Sequence, residues 1–308
     1  MARVFGIGET VLDIVFKDDK PVSAIPGGSV LNSLVSLGRL GVDVSFISEY
    51  GNDQAGKLID DFLEQNQVQT SLVRRQDDLK TSLALAFLDE KNDASYSFYK
   101  DPRDEEPEGI RVDFEDGDIF LFGSFYAIGA SNRNSLLKLL EDADLARCSI
   151  IYDPNFRVAH LDELEKVRPF ILENISYADI VRGSDEDFNL IFGANSAADA
   201  WEAVNEAGCP NLIYTSNKNQ VALLTPKHKA WLDVPDIKPV STIGAGDNFN
   251  AGIIWTLVRE ELTKRDLHNM PAGVWERMGM SGIAFSIEVC QRTENYISVE
   301  FAVEMLRE

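Results

Sequence analysis

The 308 residues of the chain are 44% hydrophobic, enough to bury the core of one large α/β domain, alone or with a small accessory. The 29 basic and 51 acidic residues leave a formal net charge of −22, without a Lys/Arg stripe, which argues against a nucleic-acid partner. The 3 cysteines and 3 histidines are too scattered for a disulfide framework or a zinc site. No apolar run reaches the ~20 residues of a membrane helix, so we expect a cytoplasmic protein without a membrane partner.

The first apolar run, residues 3–8, predicts a strand that ends in a Gly6-x-Gly8 pair. Such a pair begins the dinucleotide-binding fingerprint of dehydrogenases. The third glycine position of that fingerprint is Val11, and a bulky side chain there spoils the close packing of helix on strand. The segment therefore argues against a dehydrogenase. For Asp13, the alternative to a functional role is a plain turn aspartate.

Two stretches, residues 15–25 and 82–99, lack helical periodicity. In the second, polar and apolar residues alternate on either side of a polar turn at residues 89–93. Both predict strands, and an ordinary hairpin on the main sheet is the alternative for the second. The polar segment 101–109, which contains two prolines, predicts a hinge back to the main domain.

Paired glycines, Gly27 and Gly28, precede an amphipathic helix predicted over residues 30–40. Glycines leave space for a ligand close to the backbone, and Asn32, one helical turn further on, offers both a donor and an acceptor. The alternative is a plain strand-to-helix turn, with Asn32 as a surface amide.

Apolar runs of strand length alternate with helical patterns along most of the chain. The predicted strands are residues 3–8, 44–48, 118–122, 149–153, 180–182 and 211–215, and the predicted helices are residues 30–40, 53–65, 131–143 and 249–259. This alternation predicts a mainly parallel sheet covered on both faces, with ligand sites at the carboxyl ends of its strands.

The segment Asp153-Pro154-Asn155-Phe156-Arg157 directly follows one predicted strand. The guanidinium of Arg157 would suit phosphate or sugar oxygens because it donates several hydrogen bonds in a fixed fork. Asp-Pro-Asn is also a good turn anywhere, and Arg157 would then be a surface charge.

A Gly-Ala-Gly turn, Gly244 to Gly246, lies directly before Asp247 and an apolar helical run. Glycines let successive N–H groups point to one spot, and a helix opening there adds its free N–H groups and positive dipole end. The pattern predicts a phosphate site with Asp247 as a base beside it. Taken alone, Asp247 could also be only the helix N-cap.

The two glycine motifs together resemble the paired signatures of the ribokinase-like sugar kinases, the phosphofructokinase B family, and the resemblance covers nearly the whole chain. The first signature runs through Gly27, Gly28, Asn32, Leu37, Leu40, Gly41, Gly51, Asn52, Asp53 and Gly56, and the second through Thr242, Gly244, Ala245, Gly246, Asp247, Phe249 and Gly252. The resemblance implies one kinase domain over residues 1–308, a three-layer α/β/α doubly wound, mainly parallel sheet. Lid strands at about residues 14–25 and 82–100 would form a small β-sheet over the sugar and make a homodimer contact.

The resemblance implies transfer of the ATP γ-phosphoryl group to a primary hydroxyl of a small unphosphorylated sugar, with Mg²⁺ bridging phosphates. Asp247 would take the hydroxyl proton, and the amides of Gly244, Ala245 and Gly246 would hold the group in transfer. The sugar would contact Asp13, Gly27, Gly28, Asn32 and Arg157, and ATP would contact Ser184, Thr215, Asn217, Thr242, Gly244 and Gly246. Fructose is favoured by Gly8-Glu9 and by the similarity of residues 153–157 to a segment of fructokinase-type members. Ribose, 2-keto-3-deoxygluconate and nucleosides stay open.

Three positions depart from the family pattern. Ser184 and Asp187 stand where the family has Asn-x-x-Glu, so Asp187 would reach Mg²⁺ through water. Ser241 replaces an aspartate near the monovalent-cation loop, which puts K⁺ activation in doubt. Asn217 and Gln220 stand where the family has two glycines; Asn217 tolerates the backbone conformation, whereas Gln220 breaks the pattern. These departures leave a non-catalytic sugar or nucleotide sensor as an alternative.

Overall fold

The computed structural model describes residues 2–88, 94–101, 109–216 and 220–307, which form fourteen strands and ten α-helices. The strands are, in chain order, β1 Val4–Ile7, β2 Val11–Lys17, β3 Lys20–Gly27, β4 Val44–Gly51, β5 Val68–Gln69, β6 Val73–Gln76, β7 Leu83–Leu88, β8 Ala94–Tyr99, β9 Ile119–Gly123, β10 Ser149–Asp153, β11 Ile180–Ser184, β12 Leu212–Ser216, β13 Gln220–Leu224 and β14 Lys229–Asp233. The helices are α1 Ser29–Arg39, α2 Gln54–Gln65, α3 Arg133–Leu145, α4 Leu164–Tyr177, α5 Asp185–Phe192, α6 Ala197–Glu206, α7 Ala245–Arg259, α8 Lys264–Leu267, α9 Ala272–Cys290 and α10 Val299–Met305.

The main sheet has ten strands in the order β14-β13-β12-β11-β10-β9-β1-β4-β5, with β6 paired to β4. Every neighbouring pair between β12 and β5 in this order is parallel, and so is the pair of β4 and β6. Strand β13 is antiparallel to β12, and β14 is antiparallel to β13. Strands β1, β9 and β10 are buried along their whole length, which explains why they read as unbroken apolar runs. The prediction of a mainly parallel, doubly covered sheet is confirmed.

Helices cover both faces of this sheet, so two apolar cores lie on its opposite sides. One core packs α1, α2, α7, α9 and α10 on the sheet, and the other packs α3, α4, α5 and α6. Helix α7 begins at Ala245, four residues before the predicted start. The prediction was late because the apolar periodicity becomes regular only at Phe249. No helix in the described part of the chain is both long and apolar enough to cross a membrane.

The two predicted non-helical stretches form a separate four-stranded sheet, in the order β3-β2-β7-β8. The alternative of a hairpin on the main sheet is therefore wrong. The predicted turn at residues 89–93 and most of the predicted hinge, residues 102–108, lie outside the described residues. Val11 begins strand β2 rather than a helix, so the glycine pair at the end of β1 does not make a dinucleotide-binding turn.

Candidate active site

A cleft of about 690 Å³ lies at the carboxyl ends of the parallel strands, between the main sheet, the first turn of α7 and the inner ends of β2 and β3. Its lining contains all the predicted site residues that the structure describes: Asp13, Gly27, Gly28, Asn32, Arg157, Ser184, Asp187, Thr215, Thr242, Gly244, Ala245, Gly246 and Asp247. Asn217 lies outside the described residues. Strand ends meet at this edge because parallel strands all point the same way.

The first turn of α7 requires its two glycines. Gly244 is the N-cap, with a φ of 81°, and a Cβ there would lie 2.7 Å from the backbone oxygen of Asn295. A Cβ on Gly246 would lie 2.6 Å from Nη1 of Arg182. Asp247 is the third helical residue, so its alternative role as the N-cap is wrong. The N–H groups of this turn lack intrahelical carbonyl partners, although that of Ala245 donates to the backbone oxygen of Thr242 at 3.3 Å. Free N–H groups at a helix N-terminus suit an anion.

The two glycine motifs, more than 200 residues apart in sequence, meet through their side chains. Asn32 donates from Nδ2 to the Asp247 carboxylate at 2.8 Å, and Ser33 donates from Oγ to the Asp247 backbone oxygen at 2.7 Å. Asn32 is only 4% exposed, so it is not a surface amide, and its Oδ1 is buried without a partner among the described residues. That oxygen is available to accept a hydrogen bond from a substrate hydroxyl.

The Asp247 carboxyl has a pKa raised to about 7, chiefly because burial disfavours the charged form, and secondarily by the negative charge of Asp153. The hydrogen bond from Asn32 and the charges of Arg157 and Arg182 oppose the shift. Near pH 7 such a carboxylate accepts a proton more readily than an ordinary aspartate. The arrangement therefore fits a general base.

Asp13 lies within β2, opposite Ile25 of β3, so its interpretation as a turn aspartate is wrong. Burial raises its pKa to about 6. Its Oδ2 would lie 2.2 Å from a Cβ on Gly27, so the glycine gives the carboxylate room against the backbone. Asp13 thereby faces the cleft from the small-sheet side.

Arg182 is a cleft residue that sequence reasoning missed. It is buried, and its Nη1 donates to Asp153 Oδ2 at 3.0 Å while Nη2 donates to Thr215 Oγ1 at 2.9 Å. Asn250 donates to the same Asp153 oxygen at 2.6 Å. The signal in the sequence was an arginine at the end of an apolar strand, which is rarely buried unless it is paired.

Arg157, which sequence reasoning did identify, differs from Arg182. It is exposed at the start of a short 3₁₀ helix, Val158–Glu163, and its side chain makes no hydrogen bond or ion pair within the described residues. Its charge still acts on Asp247. Arg157 is thus available to a ligand at the cleft, whereas Arg182 is held in place.

Ser184 and Asp187 form a reciprocal cap at the start of α5. The Asp187 carboxylate accepts from the backbone N–H of Ser184 at 2.7 Å, from its Oγ at 2.6 Å and from the N–H of Phe156 at 2.6 Å. Burial raises its pKa, and so does the charge of Asp153. Both oxygens are therefore already engaged by the protein, which leaves them only outer contacts to a metal.

Of the remaining departures, Gln220 lines the cleft and Ser241 directly precedes Thr242 of its lining. Gln220 begins β13 and pairs with Ser216, so this position continues the sheet. Ser241 Oγ accepts from the N–H of Ile243 at 3.2 Å, and its backbone N–H donates to the oxygen of Cys290 at 3.3 Å. A hydroxyl thus stabilises the loop where the family pattern has a carboxylate.

Comparison with known proteins gives one consistent result. A profile of the pfkB family carbohydrate kinases matches residues 1–270. The chain is 27% identical to a probable fructokinase-7 of Arabidopsis thaliana over 78% of this chain and 72% of that protein. It is 26% identical to the aminoimidazole riboside kinase of Salmonella typhimurium over 84% and 82%. It superposes on a fructokinase of Vibrio cholerae, crystallised with fructose, ADP and calcium, with a TM-score of 0.85 and 20% identity, covering 100% and 99% of the chains.

Proposed function

We propose that this chain, which belongs to the pfkB family of carbohydrate kinases, transfers the γ-phosphoryl group of ATP to a primary hydroxyl of unphosphorylated fructose. The observation that carries the reaction is the hydrogen bond between Asn32 and Asp247 at the glycine turn, 2.8 Å long. This bond holds the Asp247 carboxylate, as proton acceptor, beside the N–H groups at the start of α7, where we place the phosphoryl group. Fructose is supported by the fructokinases among the relatives and by the segment before Arg157.

In the proposed reaction, the hydroxyl oxygen attacks the γ-phosphorus, the bond to the bridging oxygen of ATP breaks, and ADP leaves. The hydroxyl proton passes to the Asp247 carboxylate as the new O–P bond forms, because the carboxylate is too weak to remove it beforehand. The N–H groups of Gly246 and its neighbours stabilise the transferring group. Asp13 and Asn32 orient the sugar by accepting hydrogen bonds from its hydroxyl groups.

We propose Mg²⁺ as the ion that accompanies ATP. The described residues contain no group of three His, Cys, Asp or Glu side chains placed to hold a metal. Ser184 and Asp187 line the cleft, and both Asp187 oxygens already accept hydrogen bonds, so these residues would reach an ion carried by the phosphates through water. When bound, the ion neutralises phosphate charge. Turnover should stop in excess EDTA and return with Mg²⁺, and turnover that persists in EDTA would remove the ion from the proposal.

The charge of the sugar side favours an unphosphorylated substrate. Lys17 and Lys20 of the small sheet flank Asp18 and Asp19, and Lys100 donates to Glu9 at 2.7 Å. A phosphorylated sugar is a dianion, which needs several unpaired cations in a chain of net charge −22. We therefore expect neutral fructose to be preferred.

A coupled ADP-release assay across a panel of acceptors tests this function. The panel contains fructose, fructose 6-phosphate, ribose, 2-keto-3-deoxygluconate and nucleosides. We expect kcat/KM for fructose to be the highest and at least about tenfold above that for fructose 6-phosphate, the scale of one charge-assisted contact. A higher value for the phosphorylated sugar would reassign Arg157 or Lys100 to its phosphate. Binding of sugar and ATP without ADP release would instead favour the sensor.

We also propose a homodimer through the outer face of the small sheet. Phe16 and Phe87 stack with ring centroids 5.0 Å apart, and Phe87 is 39% exposed. Tyr99, on the same face, is 60% exposed. Exposed aromatic side chains on one face of a sheet are typical of a surface that another chain covers. In sedimentation, Phe87→Ser should convert a dimer to a monomer. Leu145→Ser, at an 80% exposed site on α3, is the control and should leave the dimer intact. A wild-type protein that sediments as a monomer would overturn the proposal.

A cytoplasmic location completes the proposal. Cys148, Cys209 and Cys290 are all free thiols, and burial raises the pKa of both Cys148 and Cys209 to about 12. Thiols with so high a pKa are unreactive. Cysteines that stay free are typical of proteins in a reducing compartment such as the cytoplasm. Fractionation of the source cells should recover the protein with cytoplasmic markers, and recovery with membranes or secreted proteins would contradict the assignment.

A further inference from the structure

Building on the proposed kinase function, we propose that Arg182 provides the fixed positive charge of the phosphoryl-transfer site, contacting the phosphoryl group from beneath the glycine turn of α7. Three independent observations carry this assignment: the place of the side chain, the way it is held, and its unused hydrogen-bonding capacity.

Its place is set by two chain segments. Arg182 lies near the end of β11 and lines the same cleft as Asp247 and the glycine turn. A Cβ on Gly246 would lie 2.6 Å from its Nη1, so the guanidinium packs directly against the backbone of this turn. The absence of a side chain on Gly246 therefore leaves room for the guanidinium.

The guanidinium is held rigidly. Asp153 accepts from Nη1 at 3.0 Å, Thr215 accepts from Nη2 at 2.9 Å, and the ring of Phe249 lies 5.4 Å from Cζ. Asp153 is itself fixed by Asn250. A charge held in this way needs no reorganisation during the reaction, which is the condition for strong electrostatic stabilisation.

Arg182 also has hydrogen-bonding capacity that the protein leaves unused. Of its five N–H donors, Nε is buried without a partner among the described residues. Buried donors are nearly always satisfied, so an exception indicates a ligand or another group that completes the site. Only Arg157 and Arg182 are cationic among the described residues that line the cleft. ATP therefore meets one exposed and one fixed positive charge in a strongly acidic protein.

A purely structural role as the partner of Asp153 predicts different behaviour. In that case Arg182→Gln would lower the melting temperature and weaken all nucleotides to the same extent. The proposed role predicts an effect specific to the transferred phosphoryl group. Arg133 provides the matched control, because it is as buried as Arg182, at 7% against 8% exposure, and pairs with Glu173 away from the cleft.

The experiment compares Arg182→Gln, Arg182→Lys and Arg133→Gln with the wild type. Calorimetry without sugar gives Kd for ADP and for a non-hydrolysable ATP analogue, and the coupled assay gives kcat and KM. We expect Arg182→Gln to lose at least about 100-fold in kcat and to weaken the ATP analogue at least about fivefold more than ADP. Arg182→Lys should recover part of both losses, and Arg133→Gln should change neither.

Equal weakening of ADP and the analogue by Arg182→Gln, or a kcat within about threefold of wild type, would overturn the assignment. The nucleotide measurements need no sugar turnover. If the wild type phosphorylates no sugar in the panel, the proposed function fails, while the difference between ADP and the ATP analogue still tests Arg182.

Discussion

The two sides of the cleft are built differently. On the phosphoryl side, Asp153, Arg182 and Asn250 are buried between the main sheet and α7 and joined by hydrogen bonds of 2.6 and 3.0 Å. On the side that we assign to the sugar, Asp13 lies on a four-stranded sheet whose Phe87 and Tyr99 are exposed. Charged groups that act on a transition state need fixed positions, and a densely bonded scaffold provides them. Segments with exposed side chains lose fewer buried contacts when they open, which would suit the cover over the sugar that we propose.

The sharpest test of the phosphoryl side is Asp247→Asn. The amide keeps the shape and the contact with Asn32 but cannot take the proton, so kcat should fall at least about 1,000-fold, with sugar and ATP affinities within several fold. Asp61→Asn, on the exposed side of α2, is the control and should leave kcat unchanged. Retention of more than about a tenth of the wild-type kcat would remove Asp247 from the role of base.

Gly28→Val tests the sugar side in the same way. Gly28 has a φ of 149°, and a Cβ there would lie 2.5 Å from the backbone oxygen of Glu9. The change should raise the sugar KM about 100-fold with little effect on ATP binding, because it displaces backbone at the sugar. Gly129→Val, where the nearest atoms would lie 3.6 Å from the Cβ, is the control. Equal loss of sugar and ATP affinity would mean that the two sides are not separable.

The pH profile should show both sides at once. Asp247, with a pKa of about 7, must be ionised to act, so log kcat/KM should rise with a slope of one up to about pH 7 and then level off. Below about pH 6, protonation of Asp13 should steepen the slope towards two. Because the pKa values of Asp247 and Asp13 are raised mainly by burial, a kcat/KM that does not change between pH 5 and 8 would contradict the burial of both carboxyls.

Stability should respond to Asp247 in the opposite sense to activity. A carboxyl whose pKa is raised from 3.8 to about 7 contributes stability below pH 3.8, and that stability is lost as the pH rises through 7. Asp247→Asn should therefore raise the melting temperature at pH 8 by about 2 to 4 °C, and by less at pH 5. A decrease at pH 8 would mean that the carboxylate stabilises the phosphoryl side.

The smallest expected effect concerns a monovalent cation. With Ser241 where the family pattern has an aspartate, K⁺ should activate turnover less than about threefold over a large organic cation at fixed ionic strength. Ser241→Asp is the informative variant, since it should increase the activation. Strong activation of the wild type would show that backbone oxygens, such as that of Cys290, suffice for the site.

The sequence by itself determined the local features of this protein. Glycine pairs, the alternation of apolar runs with helical periods, and the non-helical stretches at residues 15–25 and 82–99 are features of neighbouring residues. The layered sheet, the strands of the small sheet and both glycine turns were therefore predictable. That these strands form a sheet of their own was implied only by the family resemblance. The structure also brings every described predicted site residue into one cleft. Their chemical roles stay predictions.

The tertiary structure decided everything that depends on contacts between distant residues. The start of α7 at Ala245, the bond from Asn32 to Asp247 and the use of Asp187 as an internal cap could not be read from local pattern. Arg182 is the clearest case, because a strand arginine becomes part of a site only when neighbouring strands bring Asp153 and Thr215 beside it. Local sequence fixes which conformations a segment prefers, but burial and charge pairing arise only when the sheet places its strand ends together.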